Sequence, residues 1–393
     1  MKPRRRVALL MDIHTAYDHG VARGILRYAR EAGNWRLFGQ GWTLAQVRDP
    51  KTWNGDGIIT RVHEPGEVPA LLAPGVPIVD VCRTTPHPRI HSAANDDEAT
   101  GRMAAEHFIA AGHRRFAYCG APEGTWSQRR WRGFAEVVGI SEARMTTFQR
   151  PRSWWHKSGP APATLKQWVR RLERPIAILA GDDAIGVKLT QACGDLGIRI
   201  PDEVAIVSVD NEEVLCELAT PALSSIPCDT ERMGYEAARL LDELMKQGAK
   251  AAPKESRHIA VPPLPMVVRG SSDSFATKDE AVLAALRLIH QSDQAIHVPQ
   301  VVAVSGLSRR SLELRFRKEL HRTILDEIRR TRLDRACRLL ISTDLPVAKI
   351  ALKLGFSSPQ RFHAVFGVQF GMSASDFRTR NRQHDSTPRT TER

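Results

Sequence analysis

The spacing of apolar residues changes character once along the chain, and that change constrains the fold more than any other feature. In the first two thirds, short apolar runs rich in Ile, Val or Leu occupy 6–11, 57–60, 77–81, 115–119, 175–180 and 204–209. Amphipathic stretches at 16–32, 96–111, 125–138, 163–172, 185–196 and 230–246 lie between or after them. Runs so short and so continuously apolar suit strands buried on both faces. Their alternation with helices predicts parallel sheets of doubly wound type. After Asp273 the pattern is purely helical. The stretch AVPPLPMVVRGSSD at 260–273, with its prolines and then Gly-Ser-Ser, marks extended chain and a domain boundary. The expected division is a sensor domain at 1–268, a linker at 269–279 and a helical domain at 280–393.

In doubly wound sheets ligands sit beyond the carboxyl ends of the strands. Asp12 and His14 follow the first run, with Tyr17 and Asp18 close behind. Asp80 ends another run, Asp182 and Asp183 follow AILAG, and Asp210 and Asn211 follow AIVSV. Carboxylates and an amide converging there suit a polyhydroxylated ligand, because a carboxylate accepts hydroxyl protons with fixed direction. Tyr17, Trp126 or Trp131 could wall a sugar ring. For any one of these aspartates the competing reading is a helix N-cap. The cluster Trp154-Trp155-His156 reads as a surface loop or an inter-lobe contact.

The helical part contains one pattern twice. Apolar residues 282, 283, 286 and 289 mark a helix at 278–291, and a short helix follows at 299–304. Gly306-Leu307-Ser308 then reads as a tight turn with Ser308 as N-cap. Leu312, Phe316 and Leu320 form a buried stripe, while Arg309, Arg310, Ser311, Arg315 and Arg317 occupy the other face. A helix buried on one side and arginine-rich on the other meets the requirements of the major groove. A long helix at 324–342 leads through Pro346 to a short helix carrying Val347, Ile350, Ala351 and Leu354. Gly355-Phe356 turns, Ser357 or Ser358 caps, and 359–370 forms another helix with Phe362, Val365, Phe366 and Phe370 inward. Ser358, Pro359, Gln360, Arg361 and His363 are its DNA-facing candidates. Charge agrees with this division: from Phe275 onward there are 21 Lys+Arg against 12 Asp+Glu, against a whole-chain net charge of +13. Such an excess favours a polyanionic partner through counterion release.

These residues carry two family resemblances. Residues 1–268, above all PDEVAIVSVDNEEVLCELATPALSSIPCDTERMGYEAARLLDELM at 201–245, resemble the periplasmic-binding-protein type I fold of lactose-repressor-type regulators. The resemblance implies ligand contacts at Asp210, at Asp80 in PIVDV and at Arg130 ahead of Gly133-Phe134. It also implies one at the pair Asp182-Asp183, where Asp replaces the usual Asn. Residues 305–378 resemble the AraC-type DNA-binding domain through the GFSS turn, the F-x-x-x-F helix and the Phe-Arg ending. Departures are Arg361 in place of an aromatic, Gly367 for Lys, Ala374 for Pro and Leu314 for Arg. The combined layout, with TAYDHGVARGI, VDNEE, VPPLPMVVRGSSD and LLIST, resembles the xylose-operon-regulator family. That implies a transcription regulator controlled by D-xylose or a related monosaccharide, binding a double-stranded DNA operator as a homodimer and working with RNA polymerase.

The sequence contains no Gly-rich phosphate loop, no H-E-x-x-H and no G-x-S-x-G. The expectation is therefore a non-enzyme without cofactor or metal. The six cysteines form no C-x-x-C pair, which fits buried thiols in a reducing cytoplasm. The start, MKPRRRVALLMDIHTAYDHG, reads as an exposed tail entering a strand, and no run is long enough to span a membrane. The rival readings are a regulator with another effector or none, a transport-type sugar-binding protein, and a sugar-acting enzyme using Asp182 or Asp210 as base.

Overall fold

The computed structural model describes residues 4–39, 43–49, 53–62, 64–141, 146–155, 157, 159–247, 256–273, 275, 277, 279–292, 294–320, 322–370 and 372–382. The first elements in chain order are β1 (Arg5–Leu10), α1 (Ala16–Ala32), β2 (Trp35–Phe38), α2 (Leu44–Arg48), β3 (Gly57–Thr60), α3 (Val68–Leu72), β4 (Ile78–Asp80) and β5 (His91–Asn95). Next come α4 (Asp97–Ala110), β6 (Phe116–Gly120), α5 (Thr125–Val138), β7 (Thr146–Gln149), α6 (Arg152–Trp155), α7 (Ala163–Arg171), β8 (Ile176–Ala180), α8 (Asp183–Asp195) and β9 (Val204–Asp210). Then follow α9 (Glu213–Leu218), β10 (Ser224–Pro227), α10 (Thr230–Gln247) and β11 (His258–Val261). The helical series is α11 (Glu280–Gln291), α12 (Val298–Ser305), α13 (Arg309–Leu320), α14 (Ile324–Ser342), α15 (Val347–Lys353), α16 (Pro359–Phe370) and α17 (Ala374–Arg382). Residues 1–107 with 115–273 form one compact unit, and 108–114 with 274–393 another.

The first unit contains two parallel sheets, ordered β2-β1-β3-β4-β5-β11 and β7-β6-β8-β9-β10. In each, strand order reverses beside the first strand, between β1 and β3 and between β6 and β8. That is the switch point where doubly wound sheets leave a crevice. Three strand-end segments carry the chain between the lobes. After β5, α4 packs on α5, where a side chain at Gly101 or Gly133 would overlap the carbonyls of Arg130 or Glu98. After β10, α10 returns to the first lobe and crosses α1 equally closely: a side chain at Gly24 or Gly234 would meet the carbonyls of Glu231 or Val21. After β11 the chain reaches the second lobe again, where Val267 bridges Ser225 and Ser271 accepts from Ile206 N and donates to its carbonyl.

The first lobe buries Val7, Ile25, Ile59, Val79 and the inner face of α10. The second buries Ile178, Ile206, Leu189 and Trp155. Each fully buried aliphatic side chain contributes roughly 1.5–3 kcal/mol by removal from water. Trp154-Trp155 corrects the surface-loop reading: Trp155 lies in the core, its Nε1 donating to Gly120 O at 3.2 Å and Arg150 O at 2.9 Å. His156 lies outside the described residues. The strands β2, β5, β7, β10 and β11 were not apparent in the sequence. The reason is clearest for β5, HSAAN, whose small polar residues form an interior strand beneath α10 and so carry no branched apolar signal.

The helical unit has two cores. Val282, Leu286, Val301, Leu312, Phe316 and Ile328 form one; Leu333, Leu340, Ile350, Phe362, Phe366 and Ala374 form the other. Helix α14 serves both, its first half facing the first core and its second half the other. In each module a glycine with positive φ follows the short helix, Gly306 at 66° and Gly355 at 76°, a conformation that strains any other residue. Ser308 accepts from Ser311 N and Ser358 from Arg361 N, so Ser358 and not Ser357 caps α16.

Candidate functional site

The carboxyl ends of the two sheets form the walls of a cleft within the first unit. Arg130 on α5 is its buried centre. Nε donates to Asp97 Oδ1 at 3.0 Å, Nη1 donates to the Gly181 carbonyl, and Nη2 lies 3.4 Å from Asp210 Oδ1. The guanidinium lies 5.0 Å above the Trp126 ring. Burial pushes the Asp97 carboxyl up, opposed by the Arg130 and Arg129 charges beside it. Asp210 ends β9 with φ 102° and Asn211 follows with φ 51°. Such angles are costly for side chains other than glycine and concentrate at ligand clamps. The strained backbone turns Asp210 toward the cleft, where its side chain is 30% exposed. Its Oδ1 meets Arg130 and Cys228 Sγ, and among the described residues its Oδ2 accepts from no protein donor.

The facing wall comes from the first lobe. Thr15 and Asp18 form a capping box at the start of α1, and Arg61 Nη1 donates to Asp18 Oδ1 at 2.6 Å. Arg61 in turn lies 4.8 Å over the Tyr17 ring. Asn95 Nδ2 donates to Tyr17 Oη at 3.2 Å. Burial raises the Tyr17 phenol well above its ordinary value, with Cys82, Cys228 and Asp210 nearby adding to the effect. Among the described residues, two polar atoms here are buried without a partner, Asn95 Oδ1 and Arg61 Nε. Such a group costs roughly 1–3 kcal/mol until something pairs with it. The lobes also touch: Glu212 accepts from Ala16 N at 3.2 Å, and Thr125 Oγ1 donates to the Arg83 and Thr84 carbonyls at 3.0 Å.

Of the residues singled out from the sequence, Tyr17, Arg130 and Asp210 come together at this cleft. The other carboxylates hold loops. Asp80 accepts from Val62, Cys82 and Arg83 backbone N–H groups, and burial raises it to about 6 against those donors. Asp182 caps α8 through Ile185 N. Asp183 accepts from Ser208 Oγ, Ser225 Oγ and Glu212 N, and burial, with Asp210 nearby, raises it to about 7. Asn211 Oδ1 accepts from Arg269. Asp12 and His14 are exposed in the segment between β1 and α1, and Trp131 stacks on Tyr118.

In the helical unit, Arg309, Arg310, Arg317 and Lys318 are exposed on α13 and Ser311 half-buried. Arg315 instead pairs with Asp279 at 2.9 Å, the N-cap of α11. On α16, Gln360, Arg361 and His363 are exposed, with Ser358 and Pro359 half-buried at its start. Residues 6–97 match the XylR N-terminal domain, 105–272 the periplasmic binding protein-like domain and 301–380 a helix-turn-helix domain. The xylose operon regulatory protein of Escherichia coli (strain K12) is 32% identical over 391 residues, covering 96% of this chain and 98% of that protein. The chain belongs to the xylose operon regulator family. It is a DNA-binding transcription regulator. The Haemophilus influenzae member is 29% identical over 386 residues, covering 95% of this chain and 98% of that protein. The solved structure of the xylose-binding transcription activator XylR matches with TM-score 0.58 and 30% identity over 97% of this chain and 99% of that one. A CelR–cellobiose complex matches with TM-score 0.56 at 23% identity over 69% of this chain and 86% of that one, which bears on the fold alone.

The sequence reading missed several groups in this family member. Arg61, Cys82, Asn95 and Cys228 face the cleft from positions with no motif of their own. In the helical unit, Arg332 donates to Ile296 O at 2.6 Å and Gly355 O at 3.1 Å, tying the first module to the turn of the second. Glu327 is fully buried and pairs with His290, Arg322 and Arg330. An unusually polar stripe on α14, TRLDRACR, was the available signal for Arg332. Among the described residues no helix is long and apolar enough to cross a membrane, and no His/Cys/Asp/Glu group could hold a metal.

Proposed function

We propose that the cleft binds a neutral monosaccharide, D-xylose or a close relative, and that its occupancy controls operator binding. The observation that carries this is the matched set of unspent polar groups across the cleft. Among the described residues, Asp210 Oδ2 and Asn95 Oδ1 are acceptors without donors, and Arg61 Nε is a donor without an acceptor. A polyol is donor and acceptor at once, so one ligand can pair with all three. Tyr17 and Trp126 supply flat faces for the ring. We assign direct contacts to Tyr17, Arg61, Asn95, Arg130 and Asp210, and loop-positioning roles to Asp18, Asp80, Asp182, Asp183 and Asn211. Asp12 and His14, exposed beside α1, would guard the cleft mouth. The names of the relatives support xylose.

A ligand favours lobe closure only through its higher affinity for the closed state. The regulator would act as a cytoplasmic homodimer, present α13 and α16 to successive major-groove faces and work with RNA polymerase, without chemistry on its ligand. The sensor would span 1–268 and the DNA-binding domain 280–393, with 269–279 coupling them. Titration calorimetry with D-xylose, other pentoses, hexoses and sugar phosphates tests the reading. One neutral pentose should bind, and Asp210→Ala should weaken that binding by about 1.5–3 kcal/mol while operator binding persists. Binding of a sugar phosphate alone, or of no sugar, would overturn it.

A further inference from the structure

The two second helices, α13 and α16, have opposite chemistry on the faces they turn outward. Opposite the buried Leu312–Phe316–Leu320 stripe, α13 exposes Arg310, Leu314, Arg317 and Lys318, with Leu314 at 61% exposure. Opposite Phe362 and Phe366, α16 exposes Gln360, Arg361, Ala364 and Val368, with Val368 at 90% exposure. Helix α13 carries five Lys/Arg and two Glu, whereas α16 carries one Arg and no acid. Gln360, Ala364 and Val368 recur every four residues, so an amide and two aliphatic groups line one edge of α16.

Major-groove edges distinguish these chemistries. Guanine presents O6 and N7 acceptors to arginine or lysine, adenine pairs with a bidentate glutamine, and the thymine methyl takes an apolar contact. We propose that the two helices read chemically different halves of each site: α13 a guanine-containing element, and α16 an A·T element recognised through thymine methyl groups at Ala364 and Val368 with Gln360 on adenine. The proposal rests on the DNA-binding role assigned to these helices. Because phosphate neutralisation sets salt dependence, α13 carries most of that dependence and α16 little.

The test uses the full chain. An operator is enriched from random DNA, and its thymines are replaced singly by uracil, which lacks only the methyl, and its guanines by an analogue lacking N7. Uracil at one or more thymines should weaken binding about fourfold, the worth of one buried methyl group. At the thymine that Val368 contacts, that penalty should vanish in Val368→Ala and survive in Val368→Thr, which keeps a methyl in place. Loss of the guanine N7 should weaken binding about tenfold, an effect absent in Arg310→Ala and intact in Val368→Ala. Both valine variants change an exposed side chain and so leave the fold intact. Tolerance of uracil at every thymine, or uracil penalties unchanged at every thymine in Val368→Ala, overturns the proposal while leaving DNA binding standing. Failure to enrich any sequence overturns both.

Discussion

Two buried charge clusters, one in each unit, show how the same residue types serve different ends. Around Arg130, two aspartates and a strained strand end leave one carboxylate, Asp210, part-exposed and, among the described residues, partly unpaired. Around Glu327, a histidine and two arginines close on a single fully buried carboxylate. Those partners hold the Glu327 carboxyl far below its usual range against the opposing effect of burial. A closed network rigidifies; the open one keeps a carboxylate in reach of solvent. Backbone geometry separates them: Glu327 sits inside a regular helix, whereas Asp210 and Asn211 adopt positive φ.

The largest effect belongs to the closed network. Glu327→Gln strands two guanidiniums at a buried site and should destabilise the helical unit by about 3–5 kcal/mol. Differential scanning calorimetry should show its transition moving down while sugar affinity stays put; an unmoved transition would make the cluster ornamental. Next is the pH response of Asp183. Its folded-state value near 7 lies above that of the unfolded chain, so the folded state retains a proton that the unfolded state releases. Stability from this group is therefore undiminished below about pH 4 and declines as pH rises toward 7, by about 4 kcal/mol at most. The melting-temperature difference between wild type and Asp183→Asn should shift in favour of the variant across that window. A flat difference would remove the buried-proton account.

The open network predicts a change in binding rather than in stability. Asp210→Ala should weaken sugar binding by about 1.5–3 kcal/mol, the worth of a hydrogen bond to a charged group, with little change in melting. A large fall in melting temperature with sugar affinity retained would make the cleft cluster structural, like its counterpart. The smallest effect is local: Ser358→Ala removes the cap of α16 and should cost about 1 kcal/mol, seen as faster hydrogen exchange at the start of that helix.

Much of the fold was legible because local chemistry is legible. The α14 and α16 boundaries follow from apolar period, and the turns from Gly306, Gly355 and the serines behind them. β5 stayed hidden because an interior strand beneath a closely packed helix needs small residues, which carry no strand signal. The cleft was half legible. Tyr17, Arg130 and Asp210 stand out by position at strand and helix ends, but Asp80, Asp182 and Asp183 stand out equally and spend their oxygens on protein donors. Arg61 and Asn95 lie in stretches without a motif, and only the packing of the first lobe brings them to Tyr17.

The sequence alone determined the parallel, doubly wound class of the sheets, the paired helix-turn-helix units and the basic bias of the last third, because period, turn residues and charge act over a few neighbouring positions. Tertiary structure alone decided which carboxylate stays open to solvent and which charges are sealed away. That depends on donors arriving from segments tens to hundreds of residues distant, as Arg61 reaches Asp18 and His290 reaches Glu327.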